Sequence, residues 1–387
     1  MSFKQSFFIT LIAVGCLTAA FVAGYFTYAR LHPGIPDFEI LSQAYEILST
    51  QGIKAPPPNP ALEYGMIRGM VEAYNDPYTI FVEPPEHELE SNTLQGSFGG
   101  IGVRIDHDAQ GNVVLYPFPD SPAAQAGVQE GDKLFAVDNL GIDSKVPMED
   151  IQAALRGPVG TKVKITISHP PGSERTEISI KRSERPLPSV TWHIDPDESR
   201  LGVVEINVIA ASTPDEVTKA MQDLETRGAS AFLLDLRDNS GGLLSAGIDT
   251  ARLFLLDGPI ISEQYRGQEV KTYKVEKPGA FTDAPLAILI NHNTASAAEI
   301  VAGALKEQNR AKLVGAPTYG KGTVQLVFDL KDGSSLHVTA AHWWVPGLDP
   351  PVEGNGLMPD ISVTPPGEDI VPDPFIQAAL QLLFGTN

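Results

Sequence analysis

Apolar residues follow two different rhythms along this chain, and each change of rhythm marks a change of architecture. From Phe7 to Ala29 the run FFITLIAVGCLTAAFVAGYFTYA carries no charge, and a helix over it covers the ~30 Å hydrocarbon layer at ~1.5 Å per residue. That predicts a membrane-spanning segment. Phe38, Leu41, Tyr45 and Leu48 then recur at helical spacing, as do Leu62, Ile67, Met70 and Val71 after the break at Pro56-Pro57-Pro58. Two such helices cannot bury both their faces alone. Between Ser97 and about Arg185 the segments GIGVRI, NVVLYPF, KLFAVDN and KVKITISH read as short strands around one helical run near Asp150 to Leu155, a small β-rich module.

From Arg200 the order becomes strand, helix, strand. LGVVEINVI leads to a helix opened by Thr213-Pro214-Asp215-Glu216, which combines an N-cap, an N1 proline and a capping-box glutamate. AFLLDL, a helix through Leu255, LAILI, another helix and AKLVG follow, so the second half is a layered α/β core. In such cores the turns leaving the carboxyl ends of strands build the site, here RDNSGG and NHNTAS. The proline-rich stretch from Pro346 to Pro374 reads as a surface segment before a short final helix.

Composition removes several functions. Lys+Arg number 28 against Asp+Glu 48, a net charge of −20 that repels phosphate backbones, so no nucleic-acid partner is expected. A single cysteine, Cys16, forms no internal disulfide and builds no thiolate metal site, leaving only scattered histidines and carboxylates as conceivable ligands. No metal or organic cofactor is expected. The apolar stretch is long for a cleavable signal and no clear small-x-small site precedes Arg30, so an uncleaved anchor is expected, with signal cleavage as the alternative. Gly15-Cys16 offers only a faint lipoprotein signal, since the run stays apolar beyond it. Lys4 and Arg30 nearly balance, and a cytoplasmic start with an external body is the simpler topology.

The turn after LAILI holds the candidate nucleophile. Ala297, Ile300, Val301, Ala304 and Leu305 fall on one helical stripe, which puts Ser296 at the first turn. Backbone N–H groups there, including that of Ala297, lack intrahelical partners and can hold a developing oxyanion. Ser296 with Glu299 also spells an ordinary capping box. A nucleophilic serine needs a base, and two residues are candidates. His292 lies one turn upstream; Lys321 sits between Gly320 and Gly322 at the start of TVQLVFDL. A lysine base must be neutral, which requires lowering its pKa from ~10.4 to ~7–8 by apolar burial. Gln325 shares a face with Lys321 on an extended strand but at roughly 13 Å, so contact between them requires a bend at Gly322.

NTASAAEI followed by TYGKGTVQ resembles the carboxyl-terminal processing proteases, a serine peptidase family with a Ser/Lys dyad. DPYT from Asp76, GSFGGIGVRI from Gly96, SPAAQAGVQEGDKL from Ser121, RGPVGTKV from Arg156, DLRDNSGG from Asp235 and GNGLMPDISV from Gly354 look like that family's landmarks in order. The resemblance implies an α/β fold: a crotonase-like protease core with an inserted PDZ domain and an N-terminal transmembrane helix. The expected division is 1–30 anchor or signal segment, 31–96 helical region, 97–185 PDZ domain, 186–365 protease core, and 366–387 tail and helix. It implies Ser296 as nucleophile, Lys321 as general base, Gln325 as the residue positioning the lysine, and Ala297 with Gly241 or Gly242 as oxyanion donors. Gly100, Ile101, Gly102 and Val103 would form the PDZ carboxylate loop. Asp235, Arg237 and Asn239 are taken as structural, and Arg156 as a link between module and core. The expected partners are protein or peptide substrates held by their carboxyl termini, the membrane through the N-terminal helix, and a second copy through the helices at Phe38 to Val71. The expected location is the bacterial cell membrane, single-pass, with the catalytic domain outside the cytoplasm, or secreted or periplasmic after cleavage.

Overall fold

The computed structural model describes Val22, Gly24 and residues 38–385, apart from 109, 144, 173 and 365–371. The anchor expected from Phe7 to Ala29 lies outside these residues, among which no helix is long and apolar enough to cross a membrane. The chain divides into two compact units, one ending at Ile67 and one beginning at Arg68. In the first, helix Glu39–Gln51 buries none of its residues and leaves Ile40, Leu41, Tyr45, Ile47 and Leu48 exposed.

In the second unit, a six-stranded sheet runs in the order Val190–Ile194, Leu201–Ile206, Ala231–Asp235, Leu286–Ile290, Lys312–Gly315, Ile361–Ser362. Its first pair is antiparallel and every later pair parallel. A parallel sheet must be covered on both faces, which is why these strands read as continuous apolar runs. Successive residues serve opposite cores. Val204, Ile206, Phe232, Leu234, Ile288 and Ile290 pack with helices Thr213–Thr226, Leu244–Arg252 and Ala297–Glu307, whereas Leu201, Val203, Leu233, Ala287 and Leu289 pack under helix Pro374–Phe384. A second, antiparallel sheet holds Ile80–Val82, Pro259–Tyr265, Lys271–Lys274, Thr323–Asp329 and the long strand Ser335–Trp344.

Helix Pro84–Gln95 precedes the β-rich module and has no apolar stripe to announce it; proline at its start and left-handed Gly96 at its end define it. The chain enters the module along Ser97–Gly100 and leaves along Ser183–Pro186, and these two strands pair antiparallel. Beyond that seam the module closes around its own core of Ile101, Val113, Leu115, Val137, Ile151, Val163, Ile165 and Ile180. The loop at Gly157 docks on the seam: its N–H donates to Gly99 O at 3.0 Å, and a Cβ on Gly99 would lie 2.0 Å from Gly157 O. Pro346 to Pro374 is not merely a surface segment. Val352 and Leu357 are buried in the main core, and Ile361–Ser362 extends the parallel sheet.

Arg237 fastens the final helix. Its guanidinium bridges Asp235 at 2.6–3.0 Å and Asp373 at 2.8 Å, and stacks 5.0 Å from the Phe375 ring. Asp373 in turn caps helix Pro374–Phe384, accepting the Phe375 N–H at 2.8 Å. Arg237→Ala strands a nearly buried Asp235 carboxylate, so it is expected to lower stability by about 3 kcal/mol, read as a fall in denaturant midpoint.

Candidate active site

The two turns singled out in the sequence leave adjacent parallel strands at their carboxyl ends and are laced together. Thr294 Oγ1 donates to Leu236 O at 2.8 Å, the Ala295 N–H to Asn239 O at 2.9 Å, and the Asp238 N–H to Asn291 Oδ1 at 3.0 Å. Asn239 is fully buried, with its amide nitrogen on Ile206 O and its Oδ1 accepting the Gly241 N–H at 2.8 Å. This pulls Gly241 against the serine turn. At φ +106° a Cβ there would lie 2.8 Å from Ser296 Cβ and 3.0 Å from Ala297 N, so only glycine fits.

Ser296 has φ 53° and ψ −120°, a conformation that L residues avoid. It persists because Glu299, one turn into the helix, accepts the Ser296 N–H at 2.8 Å. Glu299 is fully buried and does more than close a capping box. Its Oε1 accepts from Thr318 Oγ1 at 2.5 Å and the Gly320 N–H at 2.8 Å, and its Oε2 also accepts the Lys321 N–H at 3.0 Å. One carboxylate therefore pins the serine turn and the lysine loop to each other. Thr318 Oγ1 also accepts the Leu357 N–H at 2.7 Å, and a Cβ on Gly356 would lie 2.3 Å from Thr318 O. The GNGLMPD segment is thus the wall against which the lysine loop is pressed.

Ser296, Ala297, Gly241, Gly242, Lys321 and Gln325 all line one cleft of about 750 Å³. His292, the other candidate base, is exposed and does not line it. Burial pushes the Lys321 amine below the ordinary lysine range, against the opposing pull of the Glu90, Asp76 and Glu299 carboxylates. Its Nζ lies 5.0 Å from the Tyr78 ring centroid. The DPYT turn places that ring: Asp76 accepts from the Tyr78 N–H at 3.3 Å and from Thr79 Oγ1 at 2.5 Å. The register of this strand against Ser335–Trp344 shifts between Val324 and Gln325, two to three residues beyond the bend expected at Gly322. The Gln325 amide nitrogen donates to Thr323 Oγ1 at 3.0 Å and Thr339 Oγ1 at 3.4 Å. Of the two glycines, Gly241 spends its N–H on Asn239, whereas the Gly242 N–H finds no acceptor among the described residues.

In the module, Gly100, Ile101, Gly102 and Val103 line a groove of about 460 Å³ together with Phe98, Phe118, Arg156 and Arg185. Ile101 itself is 1% exposed, its side chain belongs to the module's core, and its carbonyl accepts the Ala123 N–H at 2.9 Å. Arg156 stacks 4.7 Å from the Phe98 ring on the groove wall. Arg185 Nε is buried without a partner among the described residues.

The sequence profile for Peptidase family S41 matches residues 200–363, and that for the PDZ domain matches residues 113–168. A carboxyl-terminal-processing protease of Picosynechococcus sp. is 35% identical over 77% of this chain and 72% of its own length. The chain belongs to peptidase family S41. The carboxy-terminal processing protease CtpA of Bacillus subtilis is 31% identical over 86% of this chain and 72% of its own length. The solved structure of a photosystem II D1 C-terminal processing protease is also similar, with 28% identity, a TM-score of 0.48, and coverage of 95% of this chain and 97% of that one. This S41 enzyme is therefore a serine-type peptidase of the C-terminal processing kind with a PDZ domain and mixed α/β content.

Sequence reasoning did not find Tyr78, Glu90 or His337 as cleft residues, nor Glu299 as more than a cap. Tyr78 lay inside a noted landmark; Glu90 sits in an acidic helix that reads as a solvated face. In Glu299→Gln one acceptor oxygen becomes an NH₂ donor facing N–H groups, so two charge-assisted hydrogen bonds are lost, about 3 kcal/mol. Urea unfolding should register that loss, with Thr318→Val shifting the same way by a smaller amount.

Proposed function

We propose that this S41 peptidase cleaves protein substrates near their carboxyl termini by a Ser/Lys mechanism, with Ser296 as nucleophile and Lys321 as base. The observation that carries it is the shared Glu299 carboxylate, which holds both segments on one cleft while burial depresses the Lys321 pKa. The neutral amine takes the Ser296 proton as Oγ attacks the scissile carbonyl. The oxyanion is received by the Ala297 N–H and the uncommitted Gly242 N–H. Collapse breaks the C–N bond, with the Lys321 ammonium returning its proton to the leaving amine. Water then repeats the sequence on the acyl-enzyme, with Lys321 as base again. Gln325, its NH₂ held by two threonine hydroxyls, keeps its carbonyl oxygen to accept a hydrogen bond from the amine and aim its lone pair. No metal or organic cofactor enters these steps.

In this reading residues 97–185 are a PDZ domain that binds the substrate's carboxyl terminus, and 186–365 a crotonase-like core. The backbone of Gly100 to Val103 and the unpartnered Arg185 guanidinium nitrogen receive the terminal carboxylate. The Phe7–Ala29 run anchors the enzyme in the bacterial cell membrane with its body outside the cytoplasm. The exposed apolar side chains of helix Glu39–Gln51 support pairing with a second copy.

A serine-reactive phosphonate should label the wild type and not Ser296→Ala; labelling of both removes the nucleophile assignment. Lys321→Arg should lose turnover as fully as Lys321→Ala, because a guanidinium stays protonated. Rate should rise with pH through the folded pKa of Lys321, since the deprotonated amine is the active form. Glu90 favours the ammonium, so Glu90→Gln, assayed with chelator present, should move the acid limb of kcat/KM to lower pH. An unmoved limb would separate that limb from Lys321. Arg185→Ala should raise KM about tenfold at constant kcat if the groove tethers substrate; a change confined to kcat points instead to the PDZ domain acting as a gate on the active site.

A further inference from the structure

Glu90 and His337, which line the cleft, belong with His87 to a second cluster whose histidines the peptidase reading does not use. His87 and Glu90 on helix Pro84–Gln95 and His337 on strand Ser335–Trp344 each offer a ligand atom, and these atoms lie within 4.8 Å of one another. We propose that His87, Glu90 and His337 bind one divalent transition-metal ion of the zinc type, which fastens the helix leading into the PDZ domain to the catalytic core.

The donor set comes first. Two imidazoles and a carboxylate form a recurring three-ligand zinc shell with one position left open. His87 and Glu90 are three residues apart on one helix, which sets them side by side on a single face. The strand supplies the third ligand from the opposite side.

His87 is satisfied on only one of its two ring nitrogens. Its Nε2 lies 2.9 Å from Asp329 Oδ1, while its Nδ1 is buried with no partner among the described residues. A carboxylate accepts only, so Nε2 carries a hydrogen, and in the neutral imidazole Nδ1 is left with a bare lone pair. A buried acceptor without a partner is unfavourable, so the site favours something that binds it. A metal-binding histidine shows the same division of labour, one nitrogen oriented by a carboxylate and the other on the ion.

His337 Nε2 lies 3.5 Å from Glu90 Oε2. That is long for a hydrogen bond, yet near the roughly 3.3 Å that separates two ligands of a tetrahedral ion with bonds of ~2.0–2.1 Å. Ser335 Oγ, 3.1 Å from the same nitrogen, is a hydroxyl that can rotate away. His337 is 5% exposed and held by its strand, whereas Glu90 keeps 42% of its side chain exposed and has room to adjust. The widest ligand spacing, at most 4.8 Å, thus needs to close by at most about 1.5 Å.

The consequence follows from the chain path. Helix Pro84–Gln95 ends at Gly96, and Ser97–Gly100 of the PDZ seam begins at the next residue. An ion on His87 and Glu90 therefore restrains the first arm of the module against a strand that also forms the wall beside Lys321.

The test uses the full chain, stripped with chelator and titrated with Co²⁺ as an optical stand-in for Zn²⁺. One equivalent should develop visible d–d absorption, disappear on adding Zn²⁺, and raise Tm with metal concentration. Glu90→Gln and His87→Ala, checked for native circular dichroism, should each weaken binding about tenfold or more; His337→Ala should do the same. His342→Ala, which breaks a separate His–Glu pair with Glu353, should bind as the wild type does. Ser296→Ala should also bind normally, which keeps this result independent of the peptidase assignment. No stoichiometric band in the wild type, or a band of full strength in either Glu90→Gln or His87→Ala, would overturn the proposal.

Discussion

A carboxylate cut off from water has to be satisfied by the protein around it, and Glu299 meets that demand with three backbone N–H groups and one hydroxyl drawn from two separate turns. Each donor it recruits is a positional constraint. Ser296 is held in a backbone conformation it would not choose, and the segment Thr318 to Lys321 is brought to the same carboxylate from across the cleft. Thr318 passes the constraint outward to Leu357, so the glycine-rich segment near Gly356 is fixed by the same hub. Remove the charge at Glu299 and the donors turn on one another. The cleft depends on this one side chain more than on any apolar contact around it.

The same carboxylate creates a conflict at Lys321. Its charge, with those of Glu90 and Asp76, favours the ammonium, whereas burial of the amine favours the neutral form. Burial prevails. Glu299, its charge shared among four hydrogen-bond donors, holds the lysine's backbone while opposing the neutral amine less than Glu90 or Asp76 does. Glu90 is a different case, half-exposed and more strongly coupled to Lys321. Whatever neutralises Glu90, a proton or a bound cation, therefore acts on the proposed base as well.

Around the site, rigidity and mobility are distributed by the packing. The parallel sheet is covered on one face by three helices and on the other by the final helix, with Arg237 joining that helix to a strand end. The PDZ domain has a core of its own, and its two connecting strands pair with each other beside helix Pro84–Gln95.

Much of this was legible in the residue order. Alternating apolar strands and helical stripes gave the α/β core and the β-rich module, because burying both faces of a sheet demands those periods. The serine at a helix start, the lysine between glycines and the capping-box glutamate were visible as local features, since each is a matter of backbone geometry over a few residues. What local features could not reveal was which of them meet. Helix Pro84–Gln95 has no apolar stripe, and strand Ser335–Trp344 supplies His337 from far along the chain. The second role of Glu299, the choice between Lys321 and His292 as lining of the cleft, and the company His87 keeps all arise from long-range packing. Period and propensity determined the elements; only the folded chain, by closing distances that no spacing encodes, decided which charges are buried together and which donors are left to satisfy them.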